Sequence, residues 1–97
     1  MDREVVWSFT ASADLDSIVE YIFRDSEFYA ATVARELVAA ARTLTTFSER
    51  GRVVPEYEDS SVREIIIRRY RLIYRVTKDR VEVLRIIHTA RLMPPTT

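Results

Sequence analysis

The spacing of hydrophobic and polar positions changes twice along this 97-residue chain. It opens with a short apolar run, "VVWSF" (5–9), whose β-branched and aromatic residues predict a strand. The period then lengthens. In "ASADLDSIVEYIFRD", Leu15, Ile18, Val19 and Ile22 recur at helical spacing. Thr10 and Ser12 are candidate N-caps, and Asp14 and Asp16 suit the first turn, where the helix dipole favours acids. After a break at "DSE" (25–27), "FYAATVARELVAAARTLTTF" places Val33, Leu37, Val38, Ala41 and Leu44 on one stripe of a second helix. So short a link predicts an antiparallel helical hairpin.

The segment "SERGRVVPEYEDSS" (48–61) holds the only glycine and one of the three prolines, and reads as a central loop. Beyond it the period falls to two. "VREIIIR" (62–68), "YRLIYRV" (70–76) and "VEVLRIIH" (81–88) are three strands, with Arg69 as a tight link and "TKDR" (77–80) as a hairpin turn. The order β, α, α, β, β, β predicts an α+β fold: an N-terminal strand, a helical hairpin and a three-stranded antiparallel meander. Together they form one mostly antiparallel sheet with helices on one face. The first strand is expected to pair inside that sheet. Length allows one domain, 1–97, with 91–97 a frayed tail.

Composition narrows the class. Hydrophobic residues make up 47% and charged residues 31%, a globular balance. With no cysteine there is neither a disulfide framework nor a thiolate metal site, in keeping with a cytoplasmic location. No stretch approaches the roughly 20 apolar residues of a membrane span. Net charge is zero, yet residues 1–61 carry −6 and residues 62–97 carry +6. Such asymmetry is a hint of an acidic partner or a nucleic acid.

Candidate chemistry follows from the third strand. If Tyr70, Leu72, Tyr74 and Val76 meet the helices, Arg71 and Arg75 point to the opposite, open face. Arg63 and Arg85 join them if the register allows. Such a cationic face suits RNA or an acidic peptide, although solvated arginines behind a core strand have the same pattern. His88, the only histidine, and Glu56 are the candidates for proton transfer. Each also has a plainer reading, as a surface histidine and an exposed loop acid. No second histidine supports a metal site, a Ser60–His88–Asp59 triad has no supporting spacing, and no phosphate-binding glycine loop is present. No cofactor is expected.

"GRVVPEY", "VREIII", "YRLIYRV" and "VEVLRIIHTAR", in this order, resemble the RelE/ParE superfamily of bacterial toxins over residues 5–91. "ADLDSIVEYI" resembles the family's first helix. The resemblance implies a toxin of a type II toxin–antitoxin module, held by an acidic, partly disordered antitoxin. ParE-like members poison DNA gyrase. RelE-like members cut mRNA in the ribosomal A site. On the RelE-like reading the resemblance makes Arg71, Arg91, Glu56 and His88 catalytic, with Arg71 and Arg91 stabilising charge at the scissile phosphate. On either reading Arg63, Arg71, Arg75, Arg85 and Arg91 are the target-binding set. Two departures weigh towards ParE: "LMPPTT" after Arg91 lacks the tyrosine or histidine of RelE-like nucleases, and no lysine precedes Lys78. "HTAR" (88–91) resembles the "HGAR" of ParE-like proteins. A non-toxic relative that only binds an antitoxin is the third reading.

Overall fold

The computed structural model describes residues 2–91. Strand β1 (Glu4–Trp7) leads into helix α1 (Phe9–Phe23), and helix α2 (Glu27–Thr43) follows after a short break. Strands β2 (Arg52–Val53), β3 (Val62–Ile67), β4 (Tyr70–Val76) and β5 (Arg80–His88) complete the chain. The α+β class and the element order agree with expectation. β2 is an added two-residue strand inside the predicted central loop. The expected frayed tail lies outside the described residues, apart from Arg91.

The first strand is shorter than predicted because Ser8 caps α1. Its side-chain oxygen accepts the Ala11 N–H at 2.9 Å, and its hydroxyl donates to the Leu84 carbonyl at 3.0 Å. The helix therefore begins before Thr10 and Ser12, and Asp14 falls beyond the first turn, which holds no acid. In α2, Ser26 caps the Tyr29 N–H at 3.0 Å. Glu27 in the first turn and Arg42 in the last both complement the dipole.

The five strands form one sheet in the order β1-β5-β4-β3-β2. β1 runs parallel to β5, with Trp7 opposite Val83, and every other pair is antiparallel. The N-terminal strand does join the sheet, but at its edge. The chain leaves β1 for α1 just after Trp7, so residues 84–88 of β5 have no strand neighbour on that side. A β-bulge falls there: Ile73 faces Arg85 while Tyr74 faces Val83, leaving Leu84 as the extra residue.

Both sides of the sheet carry apolar residues. On the helix side, Leu37 and Leu44 pack with Ile65, Leu72, Tyr74 and Ile86. On the other side, Val54, Val62, Ile73 and Ile87 form a second cluster, with Tyr57 and Leu84 against it. The β3–β4 turn places Arg68 at φ 55°, a left-handed conformation that costs a non-glycine residue about 1–2 kcal/mol. Its guanidinium grips Glu36 of α2 at 2.6 and 2.8 Å and stacks over the Tyr29 ring at 5.3 Å.

Gly51 is where the loop crosses the sheet. Its N–H donates to the buried Tyr74 hydroxyl at 2.9 Å. A Cβ there would meet the Glu64 carbonyl oxygen at 2.5 Å and Tyr74 Oη at 2.7 Å. Gly51→Ala is therefore expected to destabilise the chain by about 1–3 kcal/mol, as overpacking does, read as a lower urea midpoint with an unchanged slope. A second expectation concerns acid. The Arg68 hydrogen bond holds the Glu36 carboxyl below its usual 4.5. A depressed carboxylate pKa adds stability above that value, and the stability is lost as pH falls through the folded pKa. Glu36→Gln should flatten the fall in melting temperature below pH 4.5 and leave its shape near neutrality unchanged.

Candidate functional site

Strand pairing decides which arginines share a face. Arg71 lies opposite Ile66 on β3 and Ile87 on β5, and Arg75 lies opposite Val62 and Glu82. Both belong to the face away from the helices, as the alternation predicts. Arg63 does not: it pairs with Tyr74 on the helix side and donates to the Gly51 carbonyl at 2.8 Å. Arg85 stands opposite Ile73 at the unpaired edge. From there it reaches round to α1, donating to Asp14 at 2.8 and 3.2 Å. The same carboxylate accepts the Ile86 N–H at 3.0 Å, so Asp14 closes the bare edge of β5. The Asp14 hydrogen bond also raises the Arg85 pKa.

The expected open cationic face is not open. Val54 and Tyr57 bring the loop before β3 down onto it, and Arg71 is only 5% exposed. The physical reason is a pair of carboxylates. Arg71 Nε donates to Glu64 at 2.6 Å, and its two terminal nitrogens donate to the two Glu56 oxygens at 2.7 Å each. Nη1 also donates to the Arg91 carbonyl at 2.8 Å. Glu64, with no side-chain exposure, accepts in turn from Arg52 at 2.6 Å. The result is a chain of alternating charge: Arg52, Glu64, Arg71, Glu56. Glu56 first and Glu64 after it hold the Arg71 guanidinium protonated well above its ordinary range, against burial, which pulls the other way.

Arg52, Glu56, Ile66, Arg71 and Arg91 line a hollow of about 210 Å³ over this chain. His88 is elsewhere. It pairs with Tyr70 on the helix side, ring edge to ring face with centroids 6.0 Å apart, and its Nδ1 accepts the Ala90 N–H at 3.0 Å. With Tyr21, Ile18 and Arg85 it borders a separate groove of about 430 Å³ beside α1. Glu56 and His88 thus lie on opposite faces of the sheet, and Arg91, just past the end of β5, borders both hollows.

Glu64 and Arg52 were not foreseen as site residues. One signal existed: in "VREIII", Glu64 shares its alternation with Val62 and Ile66, and an acid in an apolar series needs a buried partner. Its partner Arg71 could be found only once β3 and β4 were in register.

A mostly antiparallel sheet with a helical hairpin on one face is the α+β architecture of the RelE/ParE superfamily. Residues 5–93 match the ParE toxins of type II toxin–antitoxin systems, parDE, and the chain belongs to that family. Membership implies a cognate antitoxin as partner. Toxin RelE2 of Caulobacter vibrioides is 37% identical over 90 residues, which cover 92% of this chain and 98% of that protein. A solved structure, the chromosomal ParDE TA system from P. aeruginosa, shares the fold with a TM-score of 0.73 at 24% identity. The match covers 89% of this chain and 95% of that one.

Removing one member of a buried ion pair strands the other. Glu64→Ala is expected to destabilise the chain by about 3–5 kcal/mol, and Glu64→Met with Arg71→Met by clearly less. A urea double-mutant cycle on Glu64→Met, Arg71→Met and the double variant measures the coupling, and single losses that simply add in the double variant would contradict a coupled network.

Proposed function

We propose that this chain is a growth-arresting toxin that acts by binding DNA gyrase, without cutting RNA, and is neutralised by its antitoxin. Membership of the ParE family supports the reading. The observation that carries it is the separation of the proton-transfer groups. RNA cleavage needs a base for the 2′-hydroxyl and an acid for the leaving oxygen, both within reach of one phosphate. Glu56 is bound to Arg71 on the loop side, whereas His88 faces Tyr70 across the sheet. Arg71 itself already carries two carboxylates. Arg75 and Arg91 are then the arginines of the predicted set best placed to meet a target. The second reading is a RelE-like endoribonuclease acting on ribosome-bound mRNA with Arg71, Arg91, Glu56 and His88. It is favoured by the name of the Caulobacter relative, Toxin RelE2.

Controlled expression in a bacterial host, followed by pulses of labelled precursors, separates the readings. Gyrase poisoning predicts an early fall in thymidine incorporation, filamentation and linearised DNA, all of which survive His88→Ala. Early loss of amino-acid incorporation with cleaved transcripts, abolished by His88→Ala, would support the nuclease. If growth continues in every case, the chain is a non-toxic binder of its antitoxin.

A further inference from the structure

Two carboxylates hold Arg71, and they are held very differently. Glu64 sits in the middle of β3 with no side-chain exposure, between two arginines. Glu56 comes from the loop between β2 and β3, and its side chain is 17% exposed. Its two oxygens meet the two terminal nitrogens of Arg71 at equal distances of 2.7 Å. This fork is also the geometry in which arginine binds a free carboxylate ligand. Val54 at the start of the loop is fully buried and Tyr57 packs against the same cluster, so Glu56 stands on a loop anchored at both sides of it. Once Glu56 has left, the hollow presents Arg52, Arg71 and Arg91 against the single carboxylate of Glu64.

We propose that this hollow is an anion-binding site which the chain fills with its own Glu56, and that an acidic side chain from a protein partner takes Glu56's place on Arg71. Its lining favours a carboxylate on a peptide. The walls are partly apolar: Pro55 is exposed and Ile66 is 48% exposed, next to the arginines. A peptide supplies apolar neighbours to its acid, and a sugar–phosphate backbone does not. The exchange replaces one carboxylate by another, so Arg71 remains paired throughout. Free acidic peptide must compete with a tethered one, and its apparent affinity is reduced by the fraction of chains in which Glu56 is seated. The inference does not depend on whether the target is gyrase or mRNA.

The test is calorimetric titration of the intact chain with a hexaglutamate peptide at low salt, with an oligouridylate of matched length alongside. Glu56→Ala removes the internal competitor and should tighten hexaglutamate binding about tenfold. Adding Arg91→Gln to it should abolish the gain. An unchanged affinity in Glu56→Ala, or a gain that survives Arg91→Gln, would overturn the proposal. A larger gain for the oligouridylate would also overturn it and assign the hollow to phosphate. In the wild-type chain, which needs no folding control, hexaglutamate should speed amide exchange across residues 56–61. Unchanged exchange at saturating peptide would mean that Glu56 is not displaced.

Discussion

A guanidinium taken out of water must find an acceptor for each N–H it turns inward, or the burial costs several kcal/mol. Arg71 is in that position, and the far side of the sheet is arranged around it. Its acceptors come from β3, from the loop before β3 and from the backbone at Arg91. Three chain segments that are distant in sequence are thereby fixed relative to β4. The apolar cluster of Val54, Val62, Ile73 and Ile87 lies beside it and keeps water from competing for the same donors. Charge network and apolar cluster depend on each other. The cluster alone would leave the loop weakly oriented, and the network in open water would be worth little.

The same logic explains the uneven distribution of charge along the chain. Residues 1–61 carry −6 and residues 62–97 carry +6. Three ion pairs join an acid of the first segment to an arginine of the second: Glu56 to Arg71, Glu36 to Arg68 and Asp14 to Arg85. Glu36 ties the β3–β4 turn to α2, and Asp14 ties the bare edge of β5 to α1. The asymmetry, which suggests an external anionic partner when only the sequence is read, is therefore partly spent inside the fold. What remains for a partner is the set of arginines without such a tie to the first segment. Among the predicted residues these are Arg63, Arg75 and Arg91, and Arg63 is held by the Gly51 carbonyl instead.

Helical stripes and alternating strands were legible because their periods are local properties. Leu37 and Leu44, read as one stripe, are both fully buried, as are Leu72 and Tyr74 on β4. Ser8 was misread because it sits inside an apolar run that looks continuous, while its capping role depends on where the chain turns. Asp14 looked like a dipole residue for a related reason: its distance from the helix start shifts once Ser8 is the cap. The face of the sheet was the harder problem. Arg71 and Arg75 were assigned to the correct side by alternation alone. Whether that side was wet depended on Glu64 and Glu56, and their meeting with Arg71 is set by register and by a loop. The bulge at Leu84 adds a register shift that no local pattern announces.

This division between scaffold and loop also bears on how one fold serves toxins with different targets. The sheet and hairpin position an arginine in β4, and the likeness to a solved ParDE structure at 24% identity concerns that scaffold. What the arginine can do is set by its neighbours. With Glu64 behind it and Glu56 in front, the positive charge of Arg71 is compensated before any ligand arrives, and a phosphate approaching the pair meets carboxylate oxygens as well as a guanidinium. Glu64 is interior and costly to change. Glu56 is on a loop and partly exposed, although losing it takes two acceptors from Arg71. A change at that one position alters the charge offered by the face while leaving the core untouched. If a partner's acid displaces Glu56 as proposed, the loop that covers Arg71 sets what the arginine of the strand can bind.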